Sequence, residues 1–233
     1  MARSPKVAIV TGSNRGIGEA IVRALRTAGY AAVTNGRSAR KGLGDFHVRA
    51  DVSTPSGARE LISAVRRRFR GLDLLVNNVG DFRFTPVSEM RLDEWDELLD
   101  STLRSAWLCC KEALPLLRRS KGSIVMIGGT ATNTLRGNPR AVAYQMAKAA
   151  LTIFAKSLAQ SEARRGLRVN MINPGFIRTY AYTRKEVAEL APKVPAGRLG
   201  VPEEIAKAVV WLASGEASYV NGAVLDVGGG LWI

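Results

Sequence analysis

Tyr144 and Lys148 stand four residues apart in Tyr144-Gln145-Met146-Ala147-Lys148. They lie within a stretch from Ala141 to about Arg164 in which Ala143, Ala147, Ala150, Phe154 and Leu158 repeat at a helical period. On a helix this spacing puts the phenol and the ammonium on one face. A free phenol has a pKa of about 10, too high for easy proton exchange at neutral pH. An ammonium about 5 Å away, at an effective dielectric of about 20, favours the phenolate by roughly 3 kcal/mol. That is about two pKa units, enough to bring Tyr144 near the operating pH of a proton donor. Spacing alone also fits an amphipathic helix whose Tyr and Lys fall in register, so the surrounding elements must decide.

A second chemical feature opens the chain. Val7 to Val10 is an unbroken apolar run, as expected of a parallel strand buried on both faces. It leads into Thr11-Gly12-Ser13-Asn14-Arg15-Gly16-Ile17-Gly18. A helical pattern follows at once through Ile17, Ala20, Ile21, Ala24, Leu25 and Ala28, with Gly29 placed to cap it in the left-handed conformation. Glycines allow close backbone approach to an anion, and a helix N-terminus offers free N–H groups and positive dipole. Strand, turn and helix read together as a phosphate cradle.

Other chemistries find no residues. His47, the only histidine, falls in a predicted strand, which leaves no Ser/His nucleophile system and no Cys/His/Asp cluster at metal-ligand spacing. No metal is expected. Cys109 and Cys110 are adjacent on a predicted helix, a poor geometry for a disulfide, so a reduced, cytoplasmic setting is expected. No leader precedes the first strand and no apolar run is long enough to span a bilayer, so neither secretion nor membrane insertion is expected. The formal net charge is +14. Its largest cluster, Arg66, Arg67, Arg68 and Arg70, falls in the last turn of a predicted helix, where cations complement the dipole. No aromatic residues interleave with it, so a solvated face is favoured over nucleic-acid binding.

The remaining elements alternate along 233 residues. Ala31 to Val33 starts a second strand that closes at Asn35-Gly36-Arg37-Ser38, and Phe46 to Ala50 forms a third. Only residues 39–45 join these two, too few for a crossover helix. Thr54 and Pro55 open a helix stopped by Gly71. Leu72 to Val76 is a strand ending in Asn77-Asn78-Val79-Gly80. A long helix is predicted from about Leu92 to Leu117, kinked at Pro115. Ser123 to Ile127 and Leu167 to Ile172 are strands, the latter ending at Pro174-Gly175. Helices near Lys185 to Leu190 and Pro202 to Ala213 precede a last strand, Ala223 to Val227. This order predicts one domain over residues 1–233. Its fold class is α/β: a Rossmann-type doubly wound parallel sheet of about seven strands with helices on both faces. In such sheets ligands bind outside the C-terminal strand ends where strand order reverses.

These residues resemble the short-chain dehydrogenase/reductase family over essentially the whole chain, with members such as 3-oxoacyl-(acyl-carrier-protein) reductases in view. Thr11 to Gly18 is similar to its T-G-x-x-x-G-x-G turn, Asn77 to Gly80 to its N-N-A-G, Tyr144 to Lys148 to its Y-x-x-x-K, and Pro174 to Thr179 to its P-G-x-I-x-T. The tail, from Gly197-Arg198-Leu199-Gly200 to Gly228-Gly229, resembles its C-terminal signature. The resemblance implies carbonyl reduction by hydride transfer, with Tyr144 as proton donor and Lys148 tuning it and bonding the nicotinamide ribose. It implies cofactor contacts at Gly12, Ser13, Asn14, Arg15, Gly16, Ile17, Gly18, Asp51, Val52, Asn78, Gly80, Pro174, Gly175, Ile177 and Thr179. Two positions depart from the pattern. Thr102 occupies the slot of a relay Asn, and Gly129 that of the Ser that orients the substrate, leaving Thr130, with Thr132 second, to supply the hydroxyl.

NAD users of this fold place an acid at the end of the second strand. That position is Gly36, followed by Arg37, with Arg15 in the glycine turn. Two guanidiniums and no carboxylate suit a 2′-phosphate, so NADP(H) is the expected cofactor. Phe82, Phe84, Phe176, Tyr180 and Tyr182 fall in segments facing the nicotinamide, either lining a cleft for a flat or apolar carbonyl compound or anchoring loops. Arg178, Arg184 and Lys185 nearby would favour an anionic substrate. The family implies a homo-oligomer, a tetramer or dimer, and the apolar end Leu231-Trp232-Ile233 fits a subunit contact. The competing reading is a catalytically silent NADP(H)-binding sensor or scaffold.

Overall fold

The computed structural model describes residues 5–40, 42–130, 132, 134, 137–180 and 182–231. Seven parallel strands among them form one sheet: β1 (Val7–Val10), β2 (Ala31–Gly36), β3 (Phe46–Arg49), β4 (Leu74–Asn77), β5 (Ser123–Ile127), β6 (Arg168–Pro174) and β7 (Val224–Val227). Their order is β3-β2-β1-β4-β5-β6-β7, so the sequence order reverses between β1 and β4. The connecting helices are α1 (Gly16–Thr27), α2 (Pro55–Phe69), α3 (Leu92–Leu99), α4 (Ser105–Ser120), α5 (Val142–Glu162), α6 (Arg184–Leu190) and α7 (Pro202–Ala213).

Strict alternation along the strands divides the core in two. Val7 and Ile9 of β1, with Leu75, Ile124, Met126, Val169 and Met171, face α2, α4 and α5 through Leu61, Val65, Ala113, Leu117, Leu151 and Ala155. Ala8 and Val10, with Val76, Val125 and Ile172, face α1 and α7 through Ile21, Leu25, Ile205 and Val209. Both faces are covered, which is why the central strands read as continuous apolar runs.

Local chemistry sets most boundaries. The Thr54 hydroxyl accepts from Gly57 N–H at 3.1 Å and caps α2, with Pro55 at its first position. Gly29 ends α1 at φ +84°. Two expectations are corrected. The left-handed residue closing α2 is Arg70 (φ 61°), whose N–H donates to the Arg66 carbonyl at 3.1 Å, and not Gly71. The irregularity between residues 92 and 120 is a π turn over Asp100–Arg104, whereas α4 runs through Pro115 to Ser120. Pro115 and Lys111 lie on the exposed side of α4, where water can satisfy the Lys111 carbonyl that proline cannot. Residues 37–45 contain no helix among the described residues, so β3 is the thinly covered edge expected from sequence.

Candidate active site

The glycine turn rises at the β1/β4 reversal, held from several sides. Gly12 and Gly16 adopt φ of 59° and 57°, and α1 begins at Gly16 with its N-terminus toward the turn. Asn78, at the end of β4, donates Nδ2 to the carbonyls of Thr11 and Gly12, both at 3.0 Å. Its own N–H reaches the Thr11 hydroxyl at 3.0 Å. Asn78 therefore clamps the turn through the amide that the family pattern lays along the cofactor. Ser13 is buried, its hydroxyl accepting from Asn35 N–H at 3.0 Å, and Asn14 Nδ2 donates to the Ser38 carbonyl at 3.0 Å. The buried Asn14 Oδ1 has no hydrogen-bond partner. Two glycines in the left-handed region and a bare helix N-terminus fit a phosphate, while the orphaned Asn14 oxygen, an acceptor, suits a hydroxyl or amine donor elsewhere on the same nucleotide.

Gly36 and Arg37, expected from sequence to discriminate the cofactor, lie at and just after the end of β2. Gly36 has no side chain, and a Cβ there would lie 2.5 Å from Asn14 Nδ2. Arg37 is exposed, and the Arg15 guanidinium stacks on the Tyr180 ring at 4.4 Å from its centroid. Asp51 accepts from Ser53 N–H at 3.0 Å and from the Ser53 hydroxyl at 2.7 Å, and Val52 beside it is buried. Thr179 sits over the turn, its Cγ2 3.7 Å from the Cβ position of Gly16. Ile177 is buried and bridges to Gly200. Gly175, after Pro174, meets Gly228 so closely that a Cβ would lie 2.6 Å from the Gly228 Cα.

On α5, Lys148 is almost fully buried, and its Nζ donates to the Ile127 carbonyl at 2.8 Å and lies 5.8 Å from the Tyr144 ring centroid. Burial lowers its pKa from 10.5 to about 8. The phenol of Tyr144 moves the other way: burial raises its pKa, and the neighbouring Tyr182 adds to the rise. This overturns the expected acidification of Tyr144. The ammonium is aimed at a backbone carbonyl, and the removal of water penalises the phenolate more than the distant charge favours it.

Around this pair the backbone comes unusually close. A Cβ on Gly129 would stand 2.6 Å from Tyr144 Oη, so the phenol fills the space of the serine that the family places there. A Cβ on Gly80 would lie 3.1 Å from Lys148 Nζ and 3.3 Å from Thr102 Oγ1. Thr102, delivered by the π turn, is 1% exposed and its hydroxyl has no partner. Thr132 donates to the Gly129 carbonyl at 3.1 Å and braces the loop, whereas half-buried Thr130 makes no hydrogen bond among the described residues. Ala131, between them, lies outside the described residues. Phe82 meets Tyr144 edge-on at 4.8 Å between centroids and Phe84 at 4.5 Å, so these two aromatics line the approach to the phenol. Tyr180 does not join them; it lies on Arg15. Nothing in the sequence pointed to that stack or to the Asn14–Gly36 contact, since both join residues from separate segments.

The Lys148 geometry carries a stability cost. In the folded state Lys148 releases its proton near pH 8, whereas the unfolded chain keeps it to about 10.5. Below pH 8 the folded protein therefore bears a burial penalty of about 3 kcal/mol, which fades as pH rises from 8 to 10.5. Lys148→Met is expected to gain about 2 kcal/mol at pH 7, after loss of the Ile127 hydrogen bond, and little at pH 10. Urea unfolding at the two pH values measures it.

The chain is similar to known proteins along its whole length. A short-chain dehydrogenase family model, described as enoyl-(acyl carrier protein) reductase, matches residues 12–232. The chain is 35% identical to the 3-oxoacyl-(acyl-carrier-protein) reductase FabG of Salmonella typhimurium over the full length of both. It is 36% identical to that of Escherichia coli K12 and 37% to that of Haemophilus influenzae, with 98% of each chain covered. Its fold superimposes on ligand-free aldohexose dehydrogenase of Thermoplasma acidophilum with a TM-score of 0.91 at 30% identity, covering 97% of this chain and 94% of the other. With Tyr144, Lys148 and the glycine turn assembled at the strand reversal of a Rossmann-type sheet, the chain belongs to the short-chain dehydrogenase/reductase family of oxidoreductases.

Proposed function

We propose that residues 1–233 form one NADPH-dependent reductase that converts a carbonyl substrate to its alcohol, with 3-oxoacyl thioesters the first class to test. The observation that carries this reading is the Tyr144–Lys148 pair, enclosed by Gly80, Gly129 and Thr102 beside the glycine turn. The relatives named as 3-oxoacyl reductases supply the substrate class. Arg15 and Arg37, with no acid at Gly36, favour a cofactor carrying a 2′-phosphate.

When bound, NADPH supplies a hydride to the carbonyl carbon. Tyr144 donates its hydroxyl proton to the carbonyl oxygen, so that one hydride and one proton complete the alcohol. Burial keeps the phenol protonated, the resting state a proton donor requires. Lys148, fixed at the Ile127 carbonyl, is the cation that compensates the phenolate left behind and bonds the nicotinamide ribose. The unpartnered Thr102 hydroxyl beside Gly80 takes the place of the family's relay Asn, and Thr130 is the nearest hydroxyl in sequence to the serine slot. Phe82 and Phe84 favour an apolar or flat group next to the carbonyl. Following NADPH oxidation against 3-oxoacyl thioesters, ketones, quinones and dihydropteridines tests this; turnover of at least one member is expected.

Gly129 gives a second reading specific support, because a substrate oxygen loses the usual serine partner there. A silent NADP(H) sensor would bind the cofactor tightly and turn over no member of the panel. No helix among the described residues is long and apolar enough to cross a membrane, and we place the working protein in the cytoplasm. Its assembly is expected to be a homo-oligomer, tetramer or dimer, supported by exposed Trp107 on α4 and Met146 and Ile153 on α5. Trp232 and Ile233 of the apolar end lie outside the described residues.

A further inference from the structure

We propose that the edge strand β3 belongs to the cofactor site: His47 and Arg49 are positioning residues that fix the turn after β2 so that Arg37 meets the ribose 2′-phosphate. The inference rests on the NADP(H) reading above. In the sheet register Thr34 lies opposite His47 and Gly36 opposite Arg49. The next three carbonyls of the chain are each taken by a donor. Gly36 accepts from Ala50 N–H at 3.2 Å. Arg37 accepts from Arg49 Nε at 3.0 Å. Ser38 accepts from Asn14 Nδ2 at 3.0 Å and lies 3.1 Å from His47 Nε2. A carbonyl can only accept, so Nε2 carries the hydrogen, and Nδ1 meets the Thr34 hydroxyl at 2.8 Å.

Both faces of the imidazole edge are thus engaged, one on β2 and one on the turn. The sole histidine links the strand to the loop that a crossover helix would otherwise support. Because the acceptors of residues 36–38 are all drawn inward, the turn has few conformations left, and a guanidinium presented from it loses little freedom on binding. Charge points the same way. Arg15, Arg37 and Arg49 have no carboxylate partner among the described residues, whereas nearby Arg40 pairs with Glu19 at 2.8 Å and Arg26 with Asp45 at 3.3 Å. The cations around the turn are left for an anion that is not part of the chain.

Calorimetric titration with adenosine 2′,5′-bisphosphate and with 5′-AMP separates the 2′-phosphate from the rest of the nucleotide. The unaltered protein is expected to prefer the bisphosphate by at least about tenfold. His47→Leu and Arg49→Met are each expected to lower that preference about five- to tenfold, the worth of one hydrogen bond to a group that must stay ordered, with 5′-AMP affinity unchanged. His47→Gln, whose amide N–H can reach the Ser38 carbonyl, is expected to restore it. A preference kept by both His47→Leu and Arg49→Met, or equal weakening of the two nucleotides, overturns the proposal while the NADP(H) reading stands. Absence of any preference in the unaltered protein overturns both.

Discussion

Tyr144→Phe is expected to lower kcat/KM for carbonyl reduction by about a hundred- to ten-thousand-fold, the usual worth of a positioned general acid. The substitution removes one hydroxyl and little else. The ring keeps its edge-on contact with Phe82 and still fills the space beside Gly129. Folding and NADPH binding should therefore survive, and a fluorescence titration of NADPH alongside single-turnover rates distinguishes lost chemistry from lost binding. Activity within tenfold of the parent would remove Tyr144 from the mechanism. The pH profile adds a second readout. The phenol stays protonated well into the alkaline range, so the first group to change charge is Lys148, near pH 8. Reduction is expected to decline above that pH as the ammonium is lost.

Gly18→Ala should be nearly as damaging by a different route. A Cβ there would lie 2.6 Å from Asn78 Nδ2, 2.7 Å from the Gly12 carbonyl oxygen and 2.8 Å from the Ser13 Cα. Two of those three neighbours are backbone, which cannot rotate away. Relief requires moving the glycine turn off β1 and breaking the Asn78 clamp, at a cost of about 2–4 kcal/mol in stability. Cofactor affinity is expected to fall more than tenfold, since the displaced N–H groups are those we propose to meet the phosphates. Gly29→Ala is the control. Its φ of 84° imposes backbone strain of about 1 kcal/mol, but nothing lies within 4 Å, and nucleotide binding should be unaffected. Thermal melts and NADPH titrations of the pair decide whether contact or conformation dominates.

The sheet was legible because buried parallel strands appear as apolar runs and because glycine, Thr54-Pro55 and Asn77-Asn78 punctuate them. Gly36, Arg37 and the Tyr144–Lys148 register were readable for the same reason: each depends on a short segment. What failed depends on surroundings. The long helix is interrupted at a π turn over Asp100–Arg104, where no proline or glycine announces it. The acidity assigned to Tyr144 came from one charge and ignored the burial of the phenol, to which the neighbouring Tyr182 adds a smaller push in the same direction. His47 looked like an ordinary strand residue until the register set it opposite Thr34 and beneath Ser38.

The fit of Asn14 against Gly36 bears on how this protein could ever change its coenzyme. An aspartate at position 36 is the obvious single step toward NADH, yet its first carbon would arrive where the Asn14 amide already sits, 2.5 Å away. Displacing that amide also frees Ser38 from one of its tethers. The step is therefore coupled: the Asn14 amide must turn aside, or shrink, as the aspartate enters. Removing arginines alone would leave that contact as it is.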